Sequence, residues 1–452
     1  MKDLSDSNQN NYYDTIIIGG GSSGIMAGAV AGSEAAGLDN NKKNKRVLIL
    51  EKNSELGKKL KITGGGRCNI LNAETDMRKL LKNYGTSEKF LQTPFSIFGM
   101  QDTVDFFSKI GIEIKIEDRK RAFPRSERAL DVFNALEKEL MKNKVEVKLN
   151  TKIQEIIIDN YKVTGIRILN ENKKLEIFTA DKYILSTGGY SHPETGSTGD
   201  GFKFLKDAGI KISEASPSLV PISVSNSWVK NLSGKTVENL KLTFYIDGIK
   251  KKVIKNNLET KNRILFTHFG LSGPTILNTS KLISDWMHEG LVSLSVDLFP
   301  ELDEKGLDDF LLNIFDNNKN KIFKNILNDI YAGNILEEIF LDKNFCIENN
   351  FESGNEKNIL NKEVNNINKS ERRKLVNIFK NLKVNILGLM GFDKAIIADG
   401  GIEPNEVNWE NMSLKRLSNM RVTGDMINIT RPSGGYSLQL CWTTGYVAGY
   451  CD

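Results

Sequence analysis

The chain has 452 residues, 39% of them hydrophobic, which is too long for one ordinary core and long enough for two or three. Its 62 Lys and Arg against 57 Asp and Glu leave a net charge of +5, too mild to imply nucleic acid by itself. The four cysteines, Cys68, Cys346, Cys441 and Cys451, stand far apart with no C-x-x-C pair, which argues against a zinc site or a disulfide framework and for reduced thiols in a cytoplasm.

Residues 1–13 are polar, read as a disordered N-terminus, and lack the apolar stretch of a secretory signal. No later run approaches the roughly 20 apolar residues of a spanning helix, so a soluble protein with no membrane partner is expected. Residues 14–18, DTIII, form a β-branched run typical of a buried parallel strand. It leads into Gly19-Gly20-Gly21-Ser22-Ser23-Gly24, a G-x-G-x-x-G pattern followed by small residues at helical spacing, where Gly28 lets the helix press on the sheet. Such glycines turn the chain and let backbone N–H groups approach a pyrophosphate at the positive end of the helix. A second strand, 47–51, ends in Glu51, an acid suited to a ribose hydroxyl pair, with Lys52 beside it. The spacing between glycines and acid is stretched by a polar Lys/Asn loop at 38–45, an insertion of little energetic cost.

The next segment holds Thr63-Gly64-Gly65-Gly66-Arg67-Cys68-Asn69, and three successive glycines specify backbone proximity to something rather than a helix or strand interior. Arg67 would either neutralise a cofactor phosphate or reduced-flavin anion, or form a structural salt bridge. Cys68 next to that cation would be either a redox partner of a flavin or an inert thiol. The run 119–128 carries five cations with Phe123, the pattern of a solvated face or of a phosphate-binding patch. Alternating runs at 145–159, 162–169 and 175–180 predict short antiparallel strands, with Ile153 among the cofactor-facing positions. They feed a strand at 183–186 ending in Thr187-Gly188-Gly189, a second close backbone approach, followed by Gly196, Gly199, Asp200 and Gly201 before a helix. Near the C-terminus, Gly400-Gly401 follow a strand, Thr423-Gly424-Asp425 follow another, and Gly434-Gly435-Tyr436-Ser437 open a final helix. The two ends of the chain are therefore expected to close one α/β nucleotide domain.

Together, these segments resemble the flavoproteins grouped as BaiN/YhiN-type, or aminoacetone-oxidase-like, NAD(P)/FAD-dependent oxidoreductases. The resemblance runs from residue 19 to the last helix, and TGGGRCN at 63–69 and THFGLSGP at 267–274 are its distinctive motifs. It implies a Rossmann-like FAD-binding domain of the two-dinucleotide-binding class over 14–213 and 400–452. An inserted β-barrel over 214–300 and 383–399 and a helical subdomain over 301–382 complete the implied architecture. It also implies FAD as cofactor, NAD(P)H as electron donor, and reduction of a conjugated C=C bond, in a small molecule or in a uridine of ribosomal RNA. An O₂-using amine oxidase is the other enzyme reading. His268, within the second motif, is either a proton donor or a structural histidine; His192 and His288 are weaker candidates. A match of R-x-F-P-x-S to Arg121, Phe123 and Ser126 implies that these line the substrate cleft. Two departures stand out: the chain has Gly424-Asp425, Asn428 and Arg431 where the family reads G-E…D, and Ser437 where it has Asn after G-G-Y.

Overall fold

The computed structural model describes residues 11–33, 45–169, 174–256, 262–351 and 359–451. The expected disordered N-terminus up to residue 10 and nearly all of the Lys/Asn loop at 38–45 lie outside them. Two units are formed, one from residues 1–218 and 392–452, the other from 219–391.

The first unit is built on a sheet whose strands Glu146–Lys148, Val47–Leu50, Tyr12–Ile18, Leu175–Leu185 and Leu417–Val422 lie side by side and parallel. The first strand begins at Tyr12, two residues before the DTIII run, because Tyr12 and Tyr13 pair with Thr179 and Ala180. Its centre is covered on both faces: Ile16, Ile17, Leu48, Ile49, Ile184 and Leu185 are fully buried, as a parallel sheet of aliphatic runs requires. The last parallel strand comes from the far end of the chain, with Met420 opposite Tyr183, so N- and C-terminal sequence share one sheet.

Helix Ser22–Ala31 packs between this sheet and the C-terminal helix Tyr436–Tyr450. A Cβ on Gly28 would meet Ile49 Cδ1 at 2.9 Å, so the helix lies as close to the sheet as its backbone permits. On the other side, a Cβ on Gly445 would stand 2.5 Å from the Ser23 carbonyl oxygen and one on Gly449 2.6 Å from that of Ala27. The matching four-residue steps show that the two helices run in the same direction. Buried Arg421 donates to the carbonyls of Ala448, at 2.7 Å, and of Cys451, placing a cation at the negative end of the C-terminal helix.

Strands Ile212–Ser218 and Ile397–Ile402 pair with each other and belong to this first unit. The unit boundaries thus fall at 218/219 and 391/392 rather than at the expected 213/214 and 399/400. Gly400 and Gly401 are the cause: their Cβ positions would lie 2.3 Å from the Glu214 carbonyl oxygen and 2.7 Å from that of Met426, both in the nucleotide unit.

The second unit holds an eight-stranded antiparallel sheet running from Thr236–Glu238 at one end to Ile249–Ile254 at the other. Helices Pro274–Met287, Glu304–Asn317 and Lys369–Lys380 accompany it. Sheet residues Phe244 and Leu294 and helix residues Leu311, Phe340 and Phe379 share one buried cluster, so the strands and helices of the insert have a common core. Strand Ile249–Ile254, with sequence IKKKVI, escaped the sequence reading because its lysines hide the alternation.

Gly445→Ala should cost about 1–3 kcal/mol, since the methyl must displace backbone rather than a side chain. The expected readout is a lower urea midpoint at unchanged slope. An unchanged midpoint would mean that the helix pair can spread freely.

Candidate functional site

The glycine turn after the first strand is held by an acid, not only by its own conformational freedom. Gly19 has φ +100° and packs on Ser186, where a Cβ would approach the carbonyl oxygen to 2.6 Å. Buried Glu51, at the end of strand Val47–Leu50, accepts from the N–H of Gly20 at 2.7 Å and from that of Asn53 at 2.8 Å. Gly24 fits under Gly19, whose carbonyl oxygen a Cβ would reach at 2.0 Å, whereas a Cβ on Gly21 would meet nothing within 4 Å. The turn is rigid beneath and open above. The N–H groups of the first helical turn have no acceptor within the helix, and no acidic side chain caps them.

Above this turn lies a cleft, open to solvent, with about 930 Å³ of empty space. Gly19, Gly21, Ser22, Ser23, Glu51, Lys52, Ile153, Thr187, Gly188 and Asp425 from the sequence reading all line it. One wall is the loop after strand Leu175–Leu185, where Lys52 bridges to Thr198 Oγ1 at 2.6 Å and to Asp200 at 2.9 Å. The opposite wall comes from the C-terminal segment. The Thr423 hydroxyl bonds to those of Ser186, at 2.8 Å, and Ser23, at 3.0 Å, so three distant segments meet at one point. Gly424, at φ +57°, follows at once and packs on Ser23 and Cys441, while a Cβ on Gly189 would meet the Asp425 carbonyl at 3.1 Å.

The departures from the family pattern prove to be partners. Buried Arg431 forms an ion pair with Asp425, donates to the Ile429 carbonyl at 2.7 Å, and donates from Nε to Ser437 Oγ at 3.0 Å. Asn428 accepts from the N–H of Gly400 at 3.1 Å and so ties the Gly400-Gly401 strand to the cleft wall.

The TGGGRCN loop is braced against the start of the last helix. Gly64, Gly65 and Gly66 have φ of +60°, +67° and +84°, and Cβ atoms on the latter two would meet open space. With its amide oriented to match donors with acceptors, Asn69 donates to the carbonyls of Ala122, at 3.2 Å, and Leu71, at 3.1 Å, and accepts from the Gly435 N–H at 3.0 Å. Gly434 and Gly435 sit against the same segment: Asn72 donates to the Gly434 carbonyl at 3.1 Å, and a Cβ on Gly435 would be 2.2 Å from Leu71. The carbonyl of Tyr436 accepts from the buried Tyr84 hydroxyl at 2.9 Å. Among the described residues these positions brace one another; Gly24, Gly64–Gly66, Arg67, Cys68, Asn69, Gly189, Gly424 and Gly434–Ser437 are not among those lining the cleft.

Arg67 is engaged in an ion-pair cluster with Glu117 at 2.7 Å and Glu127 at 3.0 Å, and it lies over the Phe123 ring. Of its two readings, the structural salt bridge is the one observed. The neighbouring cations are likewise matched by acids: Lys120 with Glu74, Arg121 with Glu117, Arg125 with Glu113 and Arg128 with Asp131. Phe123 is buried and Ser126 exposed. His268 stands exposed on the turn between strands Arg263–Phe266 and Gly270–Ser272 of the second unit. His192 pairs with Glu194 at 2.8 Å, and His288 is an exposed residue capping helix Pro274–Met287.

Among the cleft residues that escaped the sequence reading are Lys59, Ser197 and Cys441. Lys59 was legible only as one lysine of the LGKKLK stretch, and Cys441 lies within the last helix, where nothing in its neighbours marks it. Burial pushes the thiols of Cys68 and Cys441 up to about 12. The thiolate is the reactive form. Iodoacetamide at pH 8 should therefore leave both unlabelled in the native protein and label them after denaturation, as peptide mass spectrometry would show. Rapid native labelling of Cys68 would reinstate it as a redox candidate.

The glycine turn with its open upper face, the acid beneath it and the second glycine junction fit a bound dinucleotide. The sequence profile of the HI0933-like protein Rossmann domain matches residues 13–451. A 3-dehydro-bile acid delta(4,6)-reductase of Clostridium scindens is 26% identical over 434 residues, covering 96% of this chain and 97% of its own. A ribosomal RNA dihydrouridine synthase of Escherichia coli is 24% identical over 434 residues, 96% of each chain. Among solved structures, a 3-ketosteroid-delta4-(5alpha)-dehydrogenase from Rhodococcus jostii in complex with 4-androstene-3,17-dione shares the fold. Its TM-score is 0.51 at 14% identity, over 98% of this chain and 96% of that one. With nearly the whole chain matched, the protein belongs to the HI0933-like Rossmann family of flavoproteins, with FAD as cofactor.

Proposed function

We propose that this FAD-dependent oxidoreductase is a reductase that takes hydride from NAD(P)H and delivers it to a conjugated C=C bond of a small molecule. The observation that carries the reading is the cleft itself, with a braced glycine turn below and a helix N-terminus opening into it. The name of the Clostridium scindens relative, a delta(4,6)-reductase matched along nearly its full length, supports the choice of a C=C acceptor. When bound, the flavin supplies hydride transfer at N5.

The chain's own residues hold and orient. The N–H groups at the start of the helix, where Ser22 and Ser23 line the cleft, would hold the pyrophosphate, with the helix dipole favouring its charge. Glu51 spends two contacts on Gly20 and Asn53; a carboxylate has about four lone-pair sites, which leaves capacity for ribose hydroxyls. Asp425, fixed by Arg431, presents a carboxylate to the cleft without the freedom to swing away. The sequence holds no second G-x-G-x-x-G for a nicotinamide, so the donor visits the flavin face and leaves.

A second reading, an enzyme that reduces a uridine in ribosomal RNA, draws on the Escherichia coli relative's name and on the edge strand Ile249–Ile254 with exposed Lys250, Lys251 and Lys252. Binding to RNA that weakens steeply with salt would favour it.

Anaerobic mixing with NADH or NADPH should bleach the flavin band, and an enone such as a 3-keto-4-ene steroid should restore it. Recovery by uridine-containing RNA alone would favour the second reading, and fast recovery only by air would indicate an oxidase. Glu51→Gln should weaken FAD binding roughly ten- to a hundredfold, the range for a charge-assisted hydrogen bond. Unchanged FAD affinity, measured by fluorescence quenching, would reduce Glu51 to a brace for the glycine turn.

A further inference from the structure

Of the charged side chains that line the cofactor cleft, Lys58 and Lys152 are exposed to water, and of the others all but Lys59 are matched within the protein. Lys52 pairs with Asp200, Asp425 pairs with Arg431, and Glu51 accepts two backbone N–H groups. Lys59, in the short helix Lys58–Ile62, is bound by neutral oxygens alone: the Ser191 carbonyl at 2.7 Å, the Ser191 hydroxyl at 3.1 Å and the Ser197 hydroxyl at 2.8 Å. No ion pair joins it to a carboxylate among the described residues. Asp425, Cys441 and Glu194 act on it only through space, with Arg431 opposing them. Burial lowers its pKa below the ordinary lysine range, the response of a cation that lacks a counter-charge.

Holding an ammonium out of water beside neutral dipoles is costly, and an incoming anion relieves that cost. We propose that Lys59 is the fixed cation of the cleft, a binding residue for an anionic group of bound FAD. That group is either the pyrophosphate, charged in both redox states, or the isoalloxazine ring, charged only when reduced. The three N–H donors of Lys59 are already committed, so it acts through its charge. Because Ser191 and Ser197 accept from it, each keeps its own hydroxyl proton to donate onward, and Ser197 lines the cleft. The cation is therefore displayed through a rigid seryl cradle and not on a mobile side chain. The inference rests on FAD being the ligand.

The test compares wild type with Lys59→Met, which removes the charge, Lys59→Gln, which keeps an amide donor for the seryl oxygens, and Lys59→Arg, which restores a cation. FAD affinity is read in both redox states, together with the midpoint potential, and circular dichroism of the apoproteins verifies folding. The neutral variants should bind FAD at least about tenfold more weakly in one state or both, with recovery in Lys59→Arg. Equal loss in both states at unchanged potential assigns the pyrophosphate. Loss confined to the reduced state, with the potential falling by about 30 mV per tenfold, assigns the ring. If a folded neutral variant binds oxidised and reduced FAD as tightly as wild type, Lys59 is not the cofactor's cation, even though wild type holds FAD. A wild-type protein that takes up no FAD at all would instead overturn the FAD reading on which the proposal stands.

Discussion

The structure of the nucleotide unit depends on how closely backbone can approach backbone around helix Ser22–Ala31. Nearly all residues of that helix are buried, and beyond the Ser23 hydroxyl it is held by packing. It is fixed by contact on three sides: Gly28 against the sheet, Gly445 and Gly449 against it from the last helix, and Gly24 beneath the turn at Gly19. Each is a place where a single methyl would collide with main chain or with a packed aliphatic side chain. Dispersion and burial at such short range position the N-terminus of the helix, and only then can its dipole be aimed at a ligand.

Around that helix, polar contacts perform the finer positioning. The hydroxyls of Ser23, Ser186 and Thr423 meet at one point and lock the first helix, the fourth parallel strand and the C-terminal segment in mutual register. Glu51 does the same for the turn and the second strand. Asp425, Arg431 and Ser437 form one contact set. A buried guanidinium needs acceptors on several sides, and an acid, a carbonyl and a hydroxyl supply them.

Much of this was legible in the sequence because its signals are local. A β-branched run followed by G-x-G-x-x-G, and a strand ending in Glu51, report on residues that are neighbours in the chain as well as in space. The glycine pairs were also legible as points of close approach, but not what they approach: Gly400 and Gly401 fit the nucleotide unit instead of marking its edge, and Gly435 packs on Leu71. Arg67 read as a cofactor cation because its carboxylate partners lie 50 and 60 residues away and no pattern announces them. Lys59 was missed for the converse reason. Its surroundings are made by a distant serine loop, and in sequence a half-buried lysine looks like an exposed one.

The split of the sheet between the two ends of the chain has a consequence for how the protein is made. Residues up to 218 leave the ribosome without the strand Leu417–Val422 that flanks Leu175–Leu185 or the helix that covers Ser22–Ala31. At about 5–20 residues per second, roughly ten to forty seconds of synthesis separate the two parts. During that interval the insert, with its own buried core, can fold while the nascent nucleotide unit still shows apolar surface. The cleft wall carrying Asp425 and Cys441 is made after the insert, so the cleft is complete only once residues 392–452 join the sheet begun before residue 218.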